Sequence, residues 1–397
     1  MKCNLCNNNK IKKVISFGNK PIVHHLKKIK DENVDTYPFD IAKCNYCGHL
    51  QIYKNINPEV LYQNYLTPSA WKNNWHLELL IEKLISIFSL NKKHQILEVG
   101  SNDGLFIEQF KKKGYKNIFG VEPSKDVYLY SKKLGHKVIN SFFSKNIVEK
   151  KFKLKKKFDL IYTRQVLEHI PNLNNFINEI SKSLNDKGHL MIEVPDHDMN
   201  YENFDYSLWE EHVNYFNLNS LELLLARNNF RIIHSETTLY SGKAVIVFAE
   251  KYIFKKHFKY INKNKQKNLN YQKGLLDLRT NLVNFLKNFH KNIYIYGCGN
   301  RSCNFVNLLN LSEYISGYID DNKYKQNKYV PGSNLKIYPS KEIDYKNSII
   351  LLGVNCENEH KVISKIKYKD NIFSILPPSI YLPTFWKKMI EANKFKS

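Results

Sequence analysis

The sequence predicts an α/β protein organised around a doubly wound, Rossmann-like sheet, with a small metal-binding module before it and a second Rossmann-like unit after it. Three observations carry this. Residues 95–106 read as strand, tight glycine-bounded turn and helix. Apolar strand-like runs then alternate with helical stretches as far as residue 250. The same strand–turn–helix order returns at 292–302. The expected divisions are 1–57, 58–250 and 251–397, and 43% hydrophobic content over 397 residues is ample for several cores.

The first module is expected from two Cys-x-x-Cys pairs, Cys3 with Cys6 and Cys44 with Cys47. Two intervening residues let both thiolates of a pair face one tetrahedral ion, and Gly48 permits the turn after the second pair. No apolar run is long enough to cross a bilayer and no apolar leader opens the chain, so a cytoplasmic protein is expected. Disulfides are rare in that compartment, which favours structural zinc over free thiols or an iron–sulfur cluster. His24 and His25 lie between the pairs, but with four cysteines available they read as loop residues.

In the central unit Ile96, Leu97 and Val99 suit a buried strand, and Gly100 and Gly104 suit a sharp turn close to a ligand. Glu98 precedes the turn, where a carboxylate can accept hydrogen bonds from an amine. The next strand, 118–121, ends in Glu122-Pro-Ser124, and an acid there is placed for a ribose diol. Asn102 occupies the middle of what would be a Gly-x-Gly-x-x-Gly loop. A nucleoside without a pyrophosphate is therefore favoured, and S-adenosylmethionine fits that description. Further strands are expected at 138–139, 158–162, 189–194 and 244–248, after a helix carrying Leu77, Leu80, Ile81, Leu84 and Phe88 on one stripe.

A second stripe, Leu275, Leu278, Leu282, Phe285, Leu286 and Phe289, predicts a core-facing helix. It leads to Gly297, Gly299 and, one strand later, Asp320. Alone these would suggest a dinucleotide site, but Ser302 stands at the third glycine and nothing nearby resembles a hydride-transfer residue.

Taken together, ILEVGSNDGLF, GVEPS, VLEHIPNL and GHLMIEVP resemble a class I S-adenosylmethionine-dependent methyltransferase. The GSNDG wording resembles the zinc-containing sugar C-methyltransferases, which act on nucleotide-activated keto-deoxysugars. The resemblance implies cofactor contacts from Glu98, Gly100, Ser101, Asn102, Gly104, Glu122, Ser124, Phe142 and Gln165. Methylation of carbon requires a carbanion or enolate, hence a base near the carbon and a donor for the oxyanion. The family's Tyr-x-Glu-His motif maps that base to His212 and its helper to Glu211, with Trp209 in place of the tyrosine. His169 lines the same site by resemblance. Tyr65, in the aromatic connector 61–71, and Tyr206 and Tyr215 are the expected substrate contacts; docking of the zinc module is the other use of that connector. Pro21-Ile-Val-His24 departs from the family's Pro-Leu-Ala-Asn. Residues 320–333 resemble the family's Asp-x-Asn-Pro-x-Lys-Gln-Gly pattern, with Lys323 and Asn327 departing from it, in a domain that helps enclose the sugar nucleotide.

The formal charge of +24 comes mostly from scattered lysines without a regular stacking-aromatic pattern. Solvated faces are therefore expected rather than a nucleic-acid surface. A monomer with a nucleotide-sugar substrate and no membrane partner is the expectation. An O-methyltransferase of a hydroxylated metabolite and a zinc-containing RNA-binding module are the alternatives.

Overall fold

The computed structural model describes residues 1–61, 74–253 and 267–394. At the N-terminus β1 (Ile11–Pro21), β2 (Thr36–Cys44) and β3 (Leu50–Ile52) form an antiparallel sheet. Cys44 ends β2, and Gly48 at φ +79° makes the turn that starts β3.

The central unit contains β4 (Ile96–Val99), β5 (Ile118–Val121), β6 (Val138–Ile139), β7 (Phe158–Arg164) and β8 (Leu184–Pro195). These five are mutually parallel in the order β8-β7-β4-β5-β6. Alternate residues serve opposite faces, as the strand period requires. Leu97, Val99, Ile161 and Ile192 join one apolar cluster with helices Leu173–Ser183 and Leu218–Arg227. Ile96, Leu160, Tyr162 and Met191 join another with helices Asn74–Ile87 and Leu105–Lys112.

Three further strands complete the account of this unit: β9 (Asn214–Tyr215), β10 (Phe230–Thr238) and β11 (Ala244–Lys251). The run at 244–248 is a strand, but it lies antiparallel to β8, and β10, antiparallel to it in turn, was not foreseen. The sheet is thus mixed rather than wholly parallel. The cause is local: Ser241 and Gly242 both take positive φ and reverse the chain without a crossover helix. β9 leaves this unit and pairs with β3, placing Tyr215 opposite Leu50 and Asn214 opposite Gln51.

The C-terminal unit is a parallel sheet of β12 (Asn292–Tyr296), β13 (Gly317–Ile319), β14 (Ile337–Tyr338), β15 (Ser348–Leu352) and β16 (Ile372–Ser374), ordered β14-β13-β12-β15-β16. Helix Lys267–Lys287 buries Leu275, Leu278, Leu282 and Leu286, the stripe expected of it. Helix Asn300–Leu309 is buried from Arg301 onward. One apolar cluster joins Val23 and Ile41 of the first unit, Tyr206 and Leu208 of the second, and Phe305 and Trp386 of the third. Among the described residues no helix is long and apolar enough to cross a membrane.

Candidate active site and zinc centre

The four cysteines of the first module converge, all buried and none in a disulfide. Sγ of Cys3 lies 3.6 Å from that of Cys47, and Sγ of Cys6 lies 3.6 Å from that of Cys44. Tetrahedral zinc with bonds of about 2.3 Å sets its sulfurs about 3.8 Å apart, so the residues fit the ion and leave no position for water. His24 and His25 take no part in the cluster.

At the carboxyl edge of the parallel strands the turn after β4 has Gly100 at φ +76° and Gly104 at φ +79°. A Cβ on Gly100 would meet Val166 at 2.3 Å, whereas one on Gly104 would strike His136 at 2.3 Å and Ser131 at 2.5 Å. The space beside Gly104 is thus taken up by the packing of His136 and Ser131. Glu122 ends β5 with its carboxylate oriented by two backbone donors, Asn102 N–H at 2.8 Å and Ser124 N–H at 2.7 Å. Burial raises its pKa, and those two donors oppose the rise. Glu98 accepts a hydrogen bond from the Tyr162 hydroxyl at 3.1 Å, and burial pushes it up to about 8. The Ser101 hydroxyl is buried without a partner among the described residues. Carboxyl groups at the ends of β4 and β5, with an orphaned hydroxyl between, fit the amine and ribose of S-adenosylmethionine. Gln165, at φ +52°, turns its amide onto Glu193 at 3.3 Å. Glu193 also takes Arg164 at 3.1 Å and His76 at 3.4 Å. Burial alone would raise Glu193, but the Arg164 guanidinium and the His76 hydrogen bond hold it down at about 2. Phe142 is 61% exposed beyond β6, while Phe143 packs on Phe176.

The histidines of the sequence reading do come together. His169 follows β7 on the single 3₁₀ turn Leu167–His169, and His212 lies in the long segment between β8 and β9. Their rings meet edge to face at 5.0 Å, and Trp209 lies 3.9 Å from the His212 ring. His169 donates from Nδ1 to the Glu211 carbonyl at 2.9 Å, which leaves Nε2 as a lone pair in the neutral ring. His212 is 4% exposed, and burial and then His169 hold its pKa well below the ordinary value. It is a neutral imidazole, the form a base must have.

All three units hold this segment. The Glu211 carboxylate receives Asn300 from the C-terminal unit at 2.7 Å and meets His24 of the zinc module at 3.2 Å. Burial opposes the His24 cation, but Glu211 and Glu210 outweigh it and raise the pKa. Glu210 accepts from Val23 N–H at 2.7 Å and from Asn304 at 3.4 Å. Immediately after His212, Ile52 N–H donates to the Val213 carbonyl at 3.1 Å, and Asn214 accepts from Asn4 at 3.0 Å and His49 at 3.1 Å. The sequence reading missed His24, Asn300, Glu210 and Asn214. Only His24 left a signal, as the departure from Pro-Leu-Ala-Asn.

The expected substrate tyrosines divide. Tyr65 lies outside the described residues. The Tyr215 hydroxyl is buried, facing the Trp209 backbone and near Glu210. Tyr206 corrects the expectation: its hydroxyl donates to the Ile375 carbonyl and its ring packs on Phe305 and Trp386, so it belongs to the seam with the C-terminal unit.

Three family models match successive parts of the chain. Residues 3–62 match a zinc binding domain, 74–235 a methyltransferase domain and 255–370 a C-methyltransferase C-terminal domain. The chain is 26% identical over 253 residues to C-methyltransferase NovU of Streptomyces niveus, an alignment spanning 62% of this chain and 60% of that protein. Solved structures that match include S-adenosylmethionine-dependent methyltransferases from Methanosarcina mazei (14% identity, TM-score 0.35, 43% of this chain and 98% of that one) and Clostridium acetobutylicum (13%, 0.38, 46% and 94%). The three matched segments follow one another on one chain, the first with its four converging thiols, so the protein joins a zinc binding domain, a methyltransferase domain and a segment similar to a C-methyltransferase C-terminal domain.

Proposed function

We propose that the protein is an S-adenosylmethionine-dependent C-methyltransferase of a nucleotide-activated keto-deoxysugar, with His212 as the general base. The observation that carries this is a buried, neutral His212 packed against His169, on a segment tied to all three units. Transfer to a heteroatom needs little more than positioning; a buried neutral imidazole suits removal of a carbon-bound hydrogen beside a ketone. Glu211, anchored by Asn300 and His24, fixes the backbone carbonyl that orients His169 and keeps acidic charge beside the base. The cofactor supplies an electrophilic methyl group, and Glu98 and Glu122 hold its amine and ribose. Zinc folds the first module, whose β3 then holds the segment after His212.

The test combines methyl-labelled cofactor with a panel of dTDP-, GDP- and CDP-linked 4-keto-deoxysugars, read by mass and proton spectra. A methyl gained on carbon is expected; a methyl ether with no loss of carbon-bound hydrogen would assign an O-methyltransferase instead. His212→Ala is expected to slow solvent exchange of the acidic sugar hydrogen by ~10³-fold. Retained exchange removes His212 from the role of base.

A further inference from the structure

We propose that Glu168 is a catalytic residue of this site, a protonated carboxylic acid that donates its O–H to the oxygen on which negative charge collects. The role rests on the enolate reading above; the protonation state stands independently of it. Glu168 lies on the turn that follows β7 and is 1% exposed, with both carboxyl oxygens lacking a hydrogen-bond partner among the described residues. One oxygen is 3.9 Å from His169 Nε2, and ligand atoms of Glu168, His169 and His212 all lie within 4.8 Å of one another.

Among the described residues no cationic side chain compensates a negative charge on the group. The charged groups that bear on it are Glu193 and Glu211, both acidic, and only its own backbone N–H favours the ionised form. His169 faces it with Nε2, a lone pair in the tautomer set by the Glu211 carbonyl. His212 is neutral. An uncompensated buried carboxylate protonates rather than remain charged, and burial pushes Glu168 up to about 8. At neutral pH the cluster therefore holds two imidazole lone pairs and one acid O–H. His212 needs its lone pair for the carbon-bound hydrogen, and His169 presents no N–H toward Glu168. The Glu168 hydroxyl is the donor that the chemistry requires.

The step then balances. His212 takes the proton, the C–H pair moves into the carbon–carbon bond and the carbonyl pair onto oxygen, and Glu168 hydrogen-bonds that oxyanion while keeping its proton. The electrons return to form the carbon–methyl bond, and the methyl–sulfur pair leaves with sulfur. The imidazolium releases its proton to solvent.

Two measurements test this on the full chain. Isotope-edited infrared difference spectra of wild type and Glu168→Gln, taken without substrate, should show a protonated-carboxyl band at pH 7 that vanishes in the variant. It should also be lost as pH rises through about 8. Absence of the band overturns the proposal whatever the substrate proves to be. Exchange of the acidic sugar hydrogen is then followed against pH. Glu168→Ala should lose ~10²-fold, as for removal of one oxyanion donor. Glu168→Gln, which keeps a donor, should stay within about threefold and lose the alkaline decline that wild type shows. Equal loss in both variants, or none in Glu168→Ala, overturns the role. So does a second metal equivalent that is lost in Glu168→Ala, because the three groups would then hold a cation. No exchange by wild type on any ketone defeats the enolate reading and this role with it, while the infrared band still reports the proton.

Discussion

The turns after β4 and β12 are written in nearly the same sequence grammar and are put to opposite uses. After β4, Glu122 is oriented by two backbone N–H groups and meets no side-chain cation among the described residues. After β12, Asp320 is likewise one strand away and accepts Cys298 N–H at 3.0 Å, but Lys325 then closes the loop, reaching the Cys298 carbonyl at 2.6 Å and Asp320 at 3.5 Å. A Cβ on Gly297 would meet Val354 at 2.5 Å and the Gly353 carbonyl oxygen at 2.9 Å, so that glycine admits a neighbouring loop rather than a ligand. Ser302 bonds the Gly297 carbonyl at 2.6 Å and receives Gly299 N–H at 3.1 Å. The helix it starts sends Asn300, Arg301 and Asn304 outward to Glu211, Asp205 and Glu210. One loop holds its acid by backbone donors alone; the other closes a lysine over its acid and becomes a clamp.

The largest effect expected of this contrast concerns Arg301, which pairs with Asp205 and donates to Asn355 at 2.9 Å and the Pro377 carbonyl at 2.7 Å, all buried. Arg301→Ala should destabilise the protein by ~3–5 kcal/mol in denaturant titration, because it leaves Asp205 buried without its ion-pair partner. Cofactor affinity measured calorimetrically under native conditions should hold. Next, Glu122→Gln should weaken cofactor binding by about 10- to 100-fold, the range of a lost charge-assisted hydrogen bond. Asp320→Asn should leave it unchanged; a comparable loss there would mean that the second loop also holds the cofactor. The smallest effect is a pH slope. Between its ordinary value of 4.5 and about 8, folded Glu98 keeps a proton that the unfolded chain has released, so stability declines as pH rises through that window. Glu98→Gln should flatten the decline, and an unchanged slope would mean that Glu98 is ionised in the folded chain.

The comparison also marks how far the sequence could be read. Strand periodicity, glycine turns and paired cysteines are local signals, and they located β4 to β8 and the metal cluster. The β10–β11 hairpin was lost because its strands carry the same apolar runs as a parallel pair, and only the backbone at Ser241 and Gly242 sets the direction. Tyr206 was misplaced because burial against Trp386 depends on a partner about 180 residues away, which no local pattern announces. Glu168 stood in plain view inside VLEHIPNL, but the proposal for it rests on burial with no cation near it among the described residues, and that is a property of the packed molecule.

The pairing of β9 with β3 has a consequence for how the chain is made. The strand nearest the zinc knuckle emerges from the ribosome early, yet its outer edge stays open until Asn214 and Tyr215 have been synthesised. An exposed strand edge is a template for pairing with other chains, and contacts so distant in sequence form late. The folded knuckle must therefore wait, edge exposed, for the same segment that brings His212. The last step that protects the nascent chain from its neighbours is also the step that completes the candidate active site.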